Sequence, residues 1–586
     1  MLERVTERQT RIGLAAVMLA YIGIVWPSLS APFFPLDDLE QIHHIRAATH
    51  WQELLTRDFY GFFRPVKNLL FLLFIPLAEH GMIWPRLIAV AVGLLAIGAV
   101  YQFSRQLWSA PAIALLATAV WALAPTLVSS TAWLSCVNIM LMTASACLGL
   151  TLHQWAATSG RSASQTIQRG SLALLLFLFA ILAYEGGISV LAIVFMLDAM
   201  RQPHRFRERR LWPVYGGYVV LGVVYMAVRV RMQSGISLIA SFSQTSPLEA
   251  VGASAWFTWQ HFFTWWAPFG RFAIIGGHIH PQMATGLILF GWLFVVALVA
   301  GIFWCWRRQP LISIGLAWFL LGFAPMSNIA GFRNGPWGDY YITLASVGLA
   351  ILVAECVRLW ASSRRPLLLV AVFMLLGLRV AGAVEAVRWS AIWTQPHAVY
   401  TRTVATFPQA FDAWLELAKL EIDQGRPEQG LEWALRAHQL APDRHRPLPV
   451  LAMAHLRLGN TTAARELVTT YLVDHPNDPW ALGFLGFIVE TVDQNPDEAF
   501  ALYQRAVEQH PWEMDSLYAA NRLAFLHVDA EEYDQALELW TAMLRFRPDD
   551  RQTHHNLAIT YRRLGRQEEF RYHAERAHAL QEQATP

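Results

Sequence analysis

Up to about residue 385 the chain is a succession of long apolar runs cut by short polar segments. Beyond that point charges enter every few positions, as in LELAKLEIDQGRPEQGLEWALRAHQLAPD. The first pattern predicts membrane-spanning helices, because a helix needs ~20 consecutive apolar residues to cross a bilayer core. Such windows fall near 12–30, 84–103, 110–125, 133–155, 170–184, 186–200, 212–231, 284–304, 310–328, 340–359 and 366–384, about 11 crossings. The run 66–78 is short and broken by Pro76 and Glu79, and is expected to lie in the interface instead. Arginines set the orientation. Arg4, Arg8 and Arg11 hold the N-terminus in the cytoplasm, and Arg105, Arg161 with Arg169, RQPHRFRERR at 201–210, Arg307 with Arg308, and Arg364 with Arg365 return to that face. An odd number of crossings then puts the C-terminal part outside the cytoplasm. The basic and then apolar N-terminus is expected to be an uncleaved first helix, since many further spans follow it.

In the C-terminal part Pro442 and Pro476 stand 34 residues apart, as do Gly425 and Gly459, and Pro511 and Pro548 continue the beat with small insertions. That period is the tetratricopeptide repeat's. Trp414, Leu417, Ala418, Gly425, Ala434 and Pro442 mark the first clear unit, and Leu557, Ala558, Tyr561, Gly565 and Ala574 the last. The expected fold is all-α: a polytopic transmembrane domain over 1–384, then over 385–586 a solenoid of about five helix pairs, whose concave face is a usual place to hold a peptide.

Composition agrees with a membrane protein: 55% of the 586 residues are hydrophobic, including 25 Trp and 33 Phe, too apolar for a soluble chain of this size. The net charge of +2 and the lack of a basic tract interleaved with aromatics exclude nucleic acid as an expected partner. Cys136, Cys147, Cys305 and Cys356 lie in apolar runs without metal-type spacing and read as small core residues. Arginine is abundant while Lys67 and Lys419 are the only lysines, which points to a GC-rich bacterial genome. The expected location is therefore the bacterial inner membrane, with the repeats in the periplasm.

In this topology the loops 31–83, 126–132, 232–283 and 329–339 and the tight turn at Glu185 gather Asp37, Asp38, Arg64, Lys67, Glu185, Arg271, Arg333 and Asp339 at one membrane face. Carboxylates beside cations at a lipid surface suit transfer of a sugar from a lipid phosphate to a hydroxyl. One carboxylate, Asp37 or Asp38, takes the proton, and Arg64, Lys67 and Arg333 hold the phosphate, bidentate contact being arginine's strength. The departing polyprenyl phosphate is a stable anion, so no general acid is required. Attack from the opposite face inverts the anomeric carbon. Glu185 sits between two apolar spans, where a carboxylate is costly to keep, and is expected to serve the site, with Glu40 expected as a supporting acid beside the pair. Duller roles compete: Asp37 and Asp38 as caps of a helix beginning at Leu39, Arg64 snorkelling to headgroups, and Glu40 with His43 and His44 as a solvated face, not a metal site. The stretch 256–271, WFTWQHFFTWWAPFGR, reads as an interfacial aromatic belt, or as a groove for a polyprenyl tail. No metal or other cofactor is expected.

The order of the segments PLDDLEQI, FRPVKNLLFLLF, LAPTLVSSTAWLS, AYEGGISVL and PMSNIAGFRNGPWGDYYITLASVG, followed by the repeats, resembles the GT-C membrane glycosyltransferases. Within them it is similar to the transmembrane-and-TPR O-mannosyltransferases and their bacterial relatives. The resemblance implies a catalytic acidic motif at Asp37 and Asp38, supporting acids at Glu185 and Asp339, an undecaprenyl-phosphate-linked monosaccharide donor, and Ser or Thr of an exported protein presented by the repeats as acceptor. The chain departs from the family where CVNI follows AWLS, and where Tyr184 and Tyr340 replace basic residues; Arg333 is the expected substitute. Two other functions fit the same order of elements: a GT-C transferase acting on a lipid or envelope polysaccharide, and a non-catalytic TPR scaffold for pilus or polysaccharide assembly.

Overall fold

The computed structural model describes residues 5–35, 37–48, 50–55, 62–157, 163–232, 247–266, 285–327, 338–363, 366–442, 446–509 and 514–584. Among them every regular element is helical. Two compact units result, one of Met1–Gln41 with His50–Ala413, the other of Ile42–Thr49 with Trp414–Pro586. The chain passes from one to the other at Ala413, later than the 384/385 boundary drawn from composition.

The first unit contains α1 (Glu7–Val25), the start of α2 (Asp38–Ala47), α3 (Pro65–Ala78), α4 (Ile83–Ser104), α5 (Pro111–Ala122), α6 (Ser129–Ala132), α7 (Val137–Ala156) and α8 (Ala163–Ala183). It continues with α9 (Ser189–Arg201), α10 (Trp212–Met232), α11 (Pro247–Trp266), α12 (Thr285–Cys305), α13 (Pro310–Phe323), α14 (Ala345–Ser363), α15 (Pro366–Ile392) and α16 (Pro396–Thr406). Among the described residues six stretches are long and apolar enough to cross a membrane: Glu7–Ser30, Ile83–Ser104, Leu134–Ala156, Ser164–Ala183, Arg209–Met232 and Thr285–Cys305. The helices at Pro111–Ala122 and Pro125–Ala132 make a seventh if the pair, bent by 61°, is one span. Pro125 causes the bend, driving Ala124 into extended backbone (φ −74°, ψ 128°) and removing a helical N–H.

Six or seven is fewer than the about 11 expected from hydropathy, for a geometric reason. Over the expected spans 186–200 and 310–328, α9 and α13 have 13 and 14 residues, ~20 Å of helix against a ~30 Å apolar core. The last two expected spans fall on α14 and α15, part of whose side chains lie outside the described residues. In α3 Phe71 and Phe74 are buried while Leu69, Leu72 and Leu73 face outward.

Burial ranks the helices: 89% of the apolar window containing α7 is buried, against 17% for α12. The central α7 packs on α4 and α8, and α13 packs on α14. At that last contact a Cβ on Gly315 would come 2.7 Å from the Gly348 carbonyl oxygen, and one on Gly348 2.5 Å from that of Gly315. Only glycine permits backbones so close. A buried polar knot ties α7 to α9 and α10: Asp198 meets His153 Nε2 at 2.8 Å and Arg205 at 2.7 Å, and accepts from Tyr215 at 2.6 Å.

The second unit is built from helix pairs: α17 (Phe411–Asp423) with α18 (Pro427–Leu440), α19 (Pro447–Arg457) with α20 (Thr461–Asp474), α21 (Pro479–Thr491) with α22 (Pro496–Gln509), α23 (Met514–Asp529) with α24 (Tyr533–Phe546), and α25 (Arg551–Arg563) with α26 (Gln567–Ala584). Each pair turns through one left-handed residue, in order Gly425 (φ 77°), Gly459 (80°), Gln494 (55°), Glu531 (64°) and Gly565 (73°). The residue after it donates back into the first helix, for example Asn460 to His455 at 2.8 Å and Glu532 to His527 at 2.8 Å. This is a Schellman-type stop, which favours glycine because a Cβ crowds the carbonyl there. Gln494→Gly and Glu531→Gly are each expected to stabilise the chain by about 0.5–1 kcal/mol, relief of left-handed strain outweighing the added freedom of the unfolded chain. A rise in the thermal unfolding midpoint of the full-length protein checks it; a fall would show the strain is already relieved.

Candidate functional site

The site begins at Pro35, where the chain turns sharply into α2. The Phe34 carbonyl accepts the Asp38 N–H at 3.1 Å, and the Phe34 N–H donates to Asp38 Oδ2 at 2.9 Å. The other oxygen of Asp38 accepts the Ser135 N–H at 2.8 Å. Both oxygens are thus committed to backbone donors in a fully buried carboxylate. Burial pushes the Asp38 acid up from its ordinary range, opposed chiefly by the charge of Arg86. Arg86, itself 2% exposed, donates to the carbonyls of Ala31 at 3.2 Å, Pro32 at 2.5 Å and Ala132. It staples the entry loop to the kinked α5–α6 segment.

Asp37 is half-buried. The charges of Asp37, Asp38, Lys67 and Asp339 all lie within electrostatic reach of the Cys136 thiol, so four residues from three distant segments share one neighbourhood. Glu185 belongs to the same surroundings, since Tyr184 and Tyr341 feel Glu185, Arg64 and Cys136 together. Arg64 grips Glu185 with two parallel bonds, Nε to Oε2 at 2.7 Å and Nη2 to Oε1 at 2.5 Å, and Arg229 Nη2 lies 3.9 Å from Oε1. The Phe62 and Tyr184 rings stack on the Arg64 guanidinium at 4.4 and 4.5 Å. Arg64 is therefore held by a carboxylate and by aromatic faces, and the snorkelling role is not what its surroundings provide. Lys67 is 2% exposed, and beside it Asn68 accepts from Gln41 at 2.9 Å and donates to the Leu54 carbonyl at 2.8 Å.

Asp339 is fully buried just ahead of α14 and accepts from Ser129 Oγ at 2.7 Å, while Trp389 Nε1 donates to Ser129 at 3.0 Å. Its Oδ1 has no partner among the described residues. Burial outweighs these bonds and pushes the Asp339 acid up to about 8. An acid raised above its unfolded value favours folding at low pH, and that contribution fades as pH climbs toward the folded value. Asp339→Asn is therefore expected to flatten the fall in thermal stability between about pH 4 and pH 8, with its gain complete above that range; parallel curves for the two proteins would refute the assignment.

Of the other sequence candidates, Glu40 is exposed on α2. His43 is pushed down to about 4 by burial, with Arg46 and Arg547 adding to the effect. Arg333 and Arg271 lie outside the described residues. Among the described residues no three His, Cys, Asp or Glu side chains stand together as a metal would need. Sequence reasoning missed Arg86, Arg229, Ser129 and Trp389. For Arg86 a signal existed, a lone charge in the apolar run IWPRLIAV, which is costly unless engaged.

On the second unit α19, α21 and α23 line a groove of about 280 Å³ with Met453, Leu456, Arg457, Trp480, Phe484 and Tyr518. Trp480 and Phe484 stack with centroids 4.8 Å apart.

A search of curated proteins finds no match to this chain. Among solved structures it is similar to a crystal structure of MamA (17% identity, 28% of this chain and 95% of that chain, TM-score 0.23) and to MamA 41-end from Desulfovibrio magneticus RS-1 (17%, 30% and 97%, 0.23). It is also similar to Pseudomonas aeruginosa pilF (16%, 29% and 77%, 0.27). A family of tetratricopeptide repeats matches residues 397–445 and 450–511, covering the first three helix pairs. The matched helix pairs thus form a tetratricopeptide-repeat region, a type of repeat that generally binds protein partners.

Proposed function

We propose that the first unit is a glycosyltransferase that moves one sugar from a polyprenyl-phosphate donor to Ser or Thr hydroxyls of an exported protein held by the repeats. The observation that carries it is the convergence of Asp37, Asp38, Lys67 and Asp339 around Cys136, with the Arg64–Glu185 pair among the same tyrosines. Asp38 has both oxygens engaged by backbone N–H groups, so Asp37 is the base and Asp38 holds the loop. Asp37 accepts the acceptor hydroxyl proton as that oxygen bonds to the anomeric carbon. The bond from that carbon to the phosphate oxygen breaks, and the polyprenyl phosphate leaves with its electron pair. Lys67 and Arg64 stabilise the charge gathering on the phosphate, with Glu185 keeping the Arg64 plane in place.

The test compares masses of exported proteins from cells carrying the native chain and cells carrying Asp37→Asn at equal expression. Loss of a sugar-sized increment from Ser or Thr peptides is expected. The repeat match favours one second reading, a membrane-anchored scaffold; unchanged masses in proteins, lipids and polysaccharide alike would select it.

A further inference from the structure

The groove of the second unit is asymmetric in charge. On α21 Trp480, Phe484 and Phe487 stand at positions i, i+4 and i+7, so they form one stripe ~10 Å long by helical rise. The Trp480 and Phe484 rings stack, and Tyr518 of α23 meets Phe487 edge to face at 5.9 Å. Tyr518 is 45% exposed, which leaves much of its ring to a partner. Met453 and Leu456 of α19 complete the apolar lining, and Arg457, one residue further on, is the only charge in it. Arg457 is exposed. Asp423 feels its charge together with that of Lys419, yet no hydrogen bond or ion pair holds the guanidinium among the described residues. Beyond Phe487 the charges are already matched, since Glu490 accepts from Arg522 at 3.0 Å and from Tyr503 at 2.8 Å.

An aromatic stripe alone would suit any apolar segment, and an arginine alone any anion. Here the guanidinium belongs to the lining, so one ligand meets both. At about 280 Å³ the groove falls below the ~300–1,000 Å³ usual for a pocket that swallows a small molecule, and suits side chains laid in from a chain outside it. In an extended peptide, side chains two positions apart share a face and stand ~7 Å apart, so the stripe takes two of them. A carboxylate beside that pair can meet Arg457 in a bidentate contact. A basic neighbour would be repelled, and no acidic residue lines the groove to receive it. We propose that this groove binds an extended segment of a partner protein in which two bulky apolar side chains, two positions apart, stand beside an aspartate or glutamate whose carboxylate docks on Arg457. The proposal rests on the repeats holding a protein partner and does not depend on sugar transfer.

The full chain in phosphatidylcholine nanodiscs is titrated, by fluorescence anisotropy, into labelled Gly-Ser-Phe-Ser-Leu-Asp-Ser-Gly and into a second peptide with the Asp ahead of the Phe. The tighter of the two is then compared with forms carrying Asn or Lys in place of its Asp. The acidic form is expected to bind about tenfold tighter than the Asn form, the size of a charge-assisted hydrogen bond. Arg457→Glu should reverse the order so that the Lys form binds best, and replacing an exposed side chain leaves the fold intact. Trp480→Ala should weaken every form at least about tenfold; if that variant fails to fold, the charge reversal decides the matter. No binding, equal binding of the three forms, or an order unchanged in Arg457→Glu overturns the proposal. So does displacement of the peptide by phosphatidylglycerol vesicles but not by phosphatidylcholine ones, which would assign the groove to membrane lipid. Sugar transfer is tested separately by the Asp37→Asn mass comparison, so the two readings can fail independently.

Discussion

Asp37→Asn is expected to lower sugar transfer by about 10²–10⁴-fold, the usual worth of a positioned general base, with little change in thermal stability. Asp38→Asn is expected to do the opposite kind of damage. Its carboxylate accepts the Phe34 and Ser135 N–H groups and faces the buried charge of Arg86. An amide can turn only one oxygen toward them, so one donor is orphaned at a cost of about 1–3 kcal/mol, and the Arg86 charge loses its counterpart. Yield and melting point fall, and transfer per folded molecule falls less than in the Asp37 variant. Assay of both purified proteins against a synthetic polyprenyl-phosphate sugar separates them. Equal loss in the two with unchanged melting would mean that the pair acts as one acid and that the division of labour is false.

The second large effect concerns Glu185 and Arg64. Breaking a buried pair by removing one partner costs about 3–5 kcal/mol, because the other charge is left in a low-dielectric site. Glu185→Leu alone should therefore sharply destabilise the chain, Arg64 being 11% and Glu185 2% exposed at the side chain. The double replacement Glu185→Leu with Arg64→Met removes both charges of the close pair and should recover part of that loss, Arg229 still being left without the carboxylate 3.9 Å away. Transfer should not recover, since Arg64 is assigned to the phosphate. A double variant with native stability and native transfer would leave the ion pair a structural fastener only.

The sequence discloses some parts of this molecule and hides others. Hydropathy located the helices because burial in lipid demands uninterrupted apolar length, yet it could not tell a full span from α9 or α13, whose helices stop after 13 and 14 residues although apolar residues continue. The 34-residue beat located the repeat turns because glycine at 425, 459 and 565 answers a local backbone requirement. Gln494 and Glu531 occupy the same conformation with no local signal. Asp37, Asp38, Lys67, Glu185 and Asp339 stood out as charges set among apolar runs. Which acid does what was not legible, since the donors that occupy Asp38 come from Phe34 and Ser135, and the partner of Asp339 is a serine ordinary in its own segment. Such pairings exist only once α4, α6 and α7 have packed.

The two strained turns also determine how the solenoid gives way. Repeat arrays behave as one-dimensional chains in which each unit is stabilised by itself and its neighbours. Gln494 and Glu531 end the first helices of the third and fourth pairs, so the weakest links stand inside the array. Sub-global opening would begin there, and amides of α21 to α24 would exchange their hydrogens before those of the flanking pairs. The Trp480 and Tyr518 walls of the groove ride on two of these helices, which gives the partner-binding face compliance that a uniformly glycine-turned array would lack.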